Sequence, residues 1–83
     1  MRGESVHLTP IEYRLLVALI ERAGQVVTHA ELLKAGWGPG KLDQQHYVRI
    51  YMTGLRRKLE LNPAQPQYLL TETGIGYRLR NDA

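Results

Sequence analysis

Cysteine is absent from this 83-residue chain, which excludes disulfides, thiolate metal ligands and a cysteine nucleophile. Serine occurs once, at Ser5, so a serine–histidine–acid triad has no credible nucleophile. No run of about 18 apolar residues exists, and no segment is therefore suited to crossing a bilayer as a helix. Met1-Arg2-Gly3-Glu4-Ser5 lacks the apolar stretch of a secretory leader, and a cytoplasmic protein is expected. The three histidines (His7, His29, His46) are widely spaced, and none forms the i, i+4 pair of a helical zinc site. Gly74-Ile75-Gly76 is a fragment of a phosphate-loop pattern without the following helix or lysine. No metal, no cofactor and no catalysis are expected.

What is present is a chain with room for one domain, residues 1–83. A chain of this size buries about 60–65% of its unfolded surface, which allows a single core. Hydrophobic residues make up 43% and charged residues 23%, the balance of a folded soluble protein rather than a disordered one. The net charge of +3 is modest, but its placement is informative. Through Gly40, four basic residues are cancelled by four acids. From Lys41 onward there are seven basic residues (Lys41, Arg49, Arg56, Arg57, Lys58, Arg78, Arg80) against four acids. A cationic surface confined to one part of a small domain suits a polyanion.

Along the chain, Val6-His7-Leu8 alternates like a short strand. Thr9-Pro10-Ile11-Glu12 then reads as a capping box with proline at the first helical position. Ile11, Leu15, Ala18 and Leu19 give that helix a core-facing stripe, and Ala23-Gly24 stops it. After a bare connector, Gly24-Gln25-Val26-Val27, a second capping box at Thr28-His29-Ala30-Glu31 opens a short helix reaching about Ala35. Gly36-Trp37-Gly38-Pro39-Gly40 is expected as a loop in which Trp37 is a packing anchor. A third helix is expected from Asp43 or Gln44 to Glu60, with Val48, Met52, Leu55 and Leu59 on its buried face. Gly54 inside it implies either a close backbone approach or simple tolerance. After Leu61-Asn62-Pro63-Ala64-Gln65-Pro66, strands at Tyr68-Leu69-Leu70-Thr71 and Gly76-Tyr77-Arg78-Leu79-Arg80 form a hairpin around Glu72-Thr73-Gly74-Ile75. Both flanking glycines are expected at positive φ. In the second strand Tyr77 and Leu79 point to one face, Arg78 and Arg80 to the other.

Three helices followed by a hairpin, with the charge excess on the third helix and the hairpin, make the α+β plan of a winged helix-turn-helix. Such a helix enters the major groove of duplex DNA. Gln44, Gln45, His46, Arg49, Ile50 and Thr53 are placed to meet base edges: arginine reads guanine, glutamine reads adenine, and Ile50 suits a thymine methyl. Lys58 with Arg56 and Arg57 suits phosphate contacts, and Thr71, Thr73 and Arg78 suit the wing. Two rivals compete with sequence-specific duplex binding. One is a protein-docking module whose basic helix meets an acidic partner. The other is RNA binding, disfavoured because no stacking aromatics lie on an exposed sheet.

The residues also carry a family resemblance. Leu8-Thr9-Pro10-Ile11-Glu12-Tyr13-Arg14-Leu15-Leu16 resembles the opening of the effector domains of OmpR/PhoB-type response regulators. Val26-Val27-Thr28, Leu32-Leu33 and Trp37 resemble their second helix. Val48, Ile50, Met52, Leu55-Arg56 and Lys58-Leu59-Glu60 resemble their recognition helix, and Thr71, Thr73-Gly74-Ile75-Gly76-Tyr77 their wing. Arg49-Ile50-Tyr51-Met52 together with the wing resembles the branch that regulates a high-affinity potassium-uptake operon. The resemblance implies the transcription-controlling output half of a two-component phosphorelay regulator, whose receiver domain is absent from this chain. It implies a sensor histidine kinase acting on that receiver, homodimers on direct-repeat operators, and contact with RNA polymerase through residues 36–41. Three departures stand out: little remains of the antiparallel sheet that usually precedes the first helix, Arg49 replaces a commonly acidic residue, and Thr73 replaces a common wing arginine.

Overall fold

A computed structural model of the chain describes residues 6–41 and 44–81; Asp43, one expected start of the third helix, lies outside them. Both capping boxes form. Thr9 Oγ1 accepts the Glu12 amide at 3.1 Å while Glu12 Oε1 accepts the Thr9 amide at 2.9 Å, opening α1 (Pro10–Glu21). Thr28 and Glu31 repeat the same pair of bonds at 3.1 and 2.9 Å, opening α2 (His29–Trp37). Each box satisfies two helix-end amides that would otherwise lack partners.

Helix α2 runs two residues past the expected stop at Ala35. Gly36 lies within the helix, and a Cβ there would meet Leu15 Cδ2 at 3.3 Å, so its missing side chain eases the approach of α1 and α2. The loop thus begins at Gly38 (φ 92°), followed by one 3-10 turn, Pro39–Lys41. Trp37 closes the helix as the expected anchor, 5.9 Å from the Tyr47 ring in a stack and 5.2 Å from the Tyr51 ring edge-on.

The third helix, α3 (Gln45–Leu59), buries Val48, Met52 and Leu55 completely, and Leu59 packs against the core. These residues meet Leu15 and Leu19 of α1, Leu32 and Leu33 of α2, and Val27, Leu69 and Tyr77 of the sheet. That sheet differs from the expected lone hairpin. Residues 24–27, expected as a bare connector, contribute to a third strand, β1 (Val26–Thr28). With β2 (Leu69–Glu72) and β3 (Gly76–Leu79) the order is β1-β3-β2, antiparallel throughout. Val27, Tyr77 and Thr71 align across the three strands, as do Val26, Arg78 and Leu70.

Residues 6–8, expected as a strand, are not one. The carbonyl of His7 accepts Lys58 Nζ at 2.9 Å, so a side chain takes an acceptor that a strand would give to a neighbour. The turn 73–75 needs one left-handed residue, Gly74 at φ 77°. Gly76 has no positive φ; it is glycine because β1 passes directly over it.

An ion pair between a buried carboxylate and an exposed lysine ties α1 to α3. Lys58 Nζ donates to Glu12 Oε1 at 2.6 Å, and the Glu12 side chain is only 6% exposed. Glu12 Oε2 lies where a Cβ on Gly54 would come within 2.8 Å, which accounts for the glycine in the helix interior. Burial raises the Glu12 pKa, but the bonds from Lys58 and Thr9 outweigh it and hold the carboxyl below its usual value of 4.5. A carboxylate whose folded pKa is depressed adds stability above its unfolded pKa and loses it as pH falls through the folded value. Lys58→Met is therefore expected to cost about 1–2 kcal/mol at neutral pH, since a buried charge loses a charged partner. The gap to the unmodified chain should narrow below about pH 4. Urea melts at pH 7 and pH 3 measure both, and parallel pH profiles would contradict this account of the pair.

Candidate nucleic-acid interface

The turns of α3 set its exposed face. With Val48, Met52 and Leu55 turned inward, the 3.6-residue repeat sends His46, Ile50, Thr53 and Arg57 straight outward. Gln45 and Arg49 lie beside them, also exposed. Ile50 is 60% exposed in the middle of this face. Thr53 Oγ1 donates back to Arg49 O at 3.0 Å, which fixes its methyl and leaves its lone pairs outward. Arg49 and Arg57 form no ion pair among the described residues. Gln44 is the N-cap but makes no side-chain cap bond, and its Oε1 is buried without a partner among the described residues.

Two cations expected to grip phosphate have partners within the protein, Lys58 while still exposed and Arg56 half-buried. Lys58 is bound to Glu12 and His7 O, as above. Arg56 donates to Leu69 O through Nε and Nη2, at 3.0 and 2.8 Å, and to Thr71 Oγ1 at 2.7 Å. Both residues have intramolecular partners that helix periodicity alone did not disclose.

The wing stands next to this face. Thr71 and Thr73 are exposed, as are Gly74 and Ile75 at the tip. Arg78, by contrast, aligns with Leu70 and Val26 on the sheet face opposite Tyr77, and its Nε donates to Glu72 Oε2 at 2.8 Å. The structure thus brings Thr71 to the α3 side of the sheet and leaves Arg78 on the other.

Glu60 is a structural residue that sequence reading missed. Although charged, it is 7% exposed, and its two oxygens accept the amides of Gln67, Tyr68 and Leu69 at 2.9, 2.9 and 2.7 Å. It fastens the end of α3 to the start of the wing. The proline-rich connector was the available signal, because a chain returning on a helix end leaves amides that need an acceptor.

A helix-turn-helix followed by a wing, with an uncovered polar helix face beside the hairpin, defines a winged-helix domain of the α+β class. Residues 3–79 match the family described as "Transcriptional regulatory protein, C terminal", and the chain belongs to that family. Its relatives are transcription regulators rather than enzymes. The KDP operon transcriptional regulatory protein KdpE of Escherichia coli (strain K12) is 58% identical over 78 residues, which cover 93% of this chain and 35% of that protein. The chain thus spans about a third of the length of the curated relatives it matches. The response regulator DrrB of Thermotoga maritima, an OmpR/PhoB homolog, superposes with a TM-score of 0.85 at 31% identity, covering 98% of this chain and 36% of that one. The RstA DNA-binding domain of Klebsiella pneumoniae, solved in complex with the RstA box, gives 0.76 at 30% identity, covering 94% and 77%.

Proposed function

We propose that this chain binds duplex DNA sequence-specifically as the output domain of a two-component response regulator, controlling transcription of a potassium-uptake operon. The observation that carries the reading is the face of α3 bearing Gln45, His46, Arg49, Ile50, Thr53 and Arg57. It is exposed, rich in groups that match base edges, and its two arginines lack ion-pair partners among the described residues. At about 22 Å for 15 residues, α3 fits a major groove about 12 Å wide with its N-terminal half inward. Gln44 to Thr53 would read bases and Arg57 would contact phosphate. Thr71 and Thr73 would meet the adjacent backbone, while Arg78 serves the wing from its outer face. Arg56 and Lys58 would support the helix from behind.

The likeness to KdpE supports the operon, and the solved complex of the RstA domain supports a DNA ligand. In the whole protein a receiver would precede residues 1–83, and a sensor kinase would act on that receiver. Homodimers would occupy direct repeats, and residues 36–41 would meet RNA polymerase. None of the described helices is long and apolar enough to cross a membrane; a cytoplasmic place is part of this proposal.

The test is a salt titration of binding to duplex from upstream of the chain's own gene, with a shuffled duplex as control. The expected slope is about 0.9 log units of affinity per phosphate contact per log unit of salt, with tighter binding to the native duplex. Binding to neither duplex, with salt-sensitive capture of an acidic protein instead, would favour the docking alternative.

A further inference from the structure

Arg56 in the last turn of α3 and Glu60 at its C-cap hold one residue, Leu69, by its two backbone polar groups. Glu60 Oε2 accepts the Leu69 amide while the Arg56 guanidinium donates twice to the Leu69 carbonyl. The guanidinium carbon also sits 5.4 Å from the centre of the buried Tyr77 ring. So anchored, Arg56 directs the second hydrogen of Nη2 to Thr71 Oγ1 at 2.7 Å. A guanidinium accepts no hydrogen bond, so the Thr71 hydroxyl can only receive from it. The threonine's own proton must then point away from Arg56. Thr71 is exposed on the strand that leads into the wing tip.

We propose that Arg56 is a positioning residue that fixes the Thr71 hydroxyl as a donor to a phosphate oxygen of bound duplex, rather than gripping phosphate itself. The inference rests on the duplex-binding reading above. A free threonine side chain samples several staggered χ1 wells, and a charge-assisted bond to its oxygen selects one. A donor held in place before binding has less freedom to lose when the phosphate arrives.

Affinity for the native upstream duplex is measured across salt concentrations for Arg56→Met, Arg56→Lys, Thr71→Val, Thr71→Ser and the Arg56→Met/Thr71→Val double variant. Thr71→Val is expected to weaken binding by about 10- to 150-fold, as for a lost hydrogen bond to a charged group, and Thr71→Ser to restore most of it. Arg56→Met should weaken binding similarly with an unchanged salt slope, and the double variant should lose no more than Thr71→Val alone. Arg56→Lys keeps the charge without the fork and should behave as Arg56→Met does. A slope lowered by about 0.9 in Arg56→Met indicates direct phosphate contact and overturns the proposal. Losses that multiply in the double variant, or full affinity in Arg56→Lys or Thr71→Val, overturn it as well. Should Arg56→Met fail to fold by thermal melting, Arg56→Lys and the two Thr71 variants decide the matter. A wild-type chain without salt-steep duplex binding removes the duplex reading itself, a result distinct from any of these.

Discussion

Gly76→Ala is expected to cost at least about 3 kcal/mol, a large part of the roughly 4–12 kcal/mol available to a domain of this length. A Cβ built on Gly76 falls 2.0 Å from Val27 O and 2.8 Å from Thr28 Cα. Both obstacles are backbone, so no side-chain rotation relieves the clash. Either β1 separates from β3 or the hairpin shifts, and Val27 and Tyr77, both core residues, move with them. In a thermal melt this corresponds to a drop of roughly 12–24 °C. Two controls separate sterics from backbone freedom. Gly74→Ala has open space but a φ of 77°, and should cost about 1–2 kcal/mol. Gly40→Ala meets nothing within 4 Å and should be nearly neutral. Equal effects at 74 and 76 would mean that chain flexibility, not the crossing of β1, is what position 76 requires.

The contrast between those glycines bears on how much was legible in the sequence. Local chemistry was. Both capping boxes, the buried stripe of α3 and the hairpin follow from residues within a few positions of one another, and all three form. Long-range contacts were not. Val26–Thr28 is too short to show alternation, and it becomes a strand only because Gly76 and Tyr77, about 50 residues later, offer it an edge. The same limit governed the charges. Helix reading gave Arg56 and Lys58 as suited to phosphate contacts, but it carries no information about Leu69 O or Glu12, which arrive from other elements. Glu60 was invisible for the same reason, since its three partners are amides of a returning loop. The candidate site was thus readable as a helix face, while the division between side chains that face out and those that brace the helix required the fold.

That division singles out Arg49. Among the basic residues of α3, Arg56 and Lys58 are bound within the protein, and Arg57 lies in the C-terminal half, where phosphate contacts are expected. Arg49 is on the second turn, exposed and without an ion-pair partner among the described residues, where groove-reading side chains lie. A bidentate arginine–guanine pair discriminates by about 1–3 kcal/mol. Arg49→Ala is therefore expected to weaken binding to the native upstream duplex by about 5- to 150-fold more than to shuffled duplex, with near-normal melting. Arg57→Ala is expected to weaken both duplexes alike and to lower the salt slope by about 0.9. Competition binding with the two duplexes at several salt concentrations measures both quantities. If Arg49→Ala lost affinity equally on both, its guanidinium would be contacting phosphate, and base recognition would fall to Gln45, His46 and Ile50.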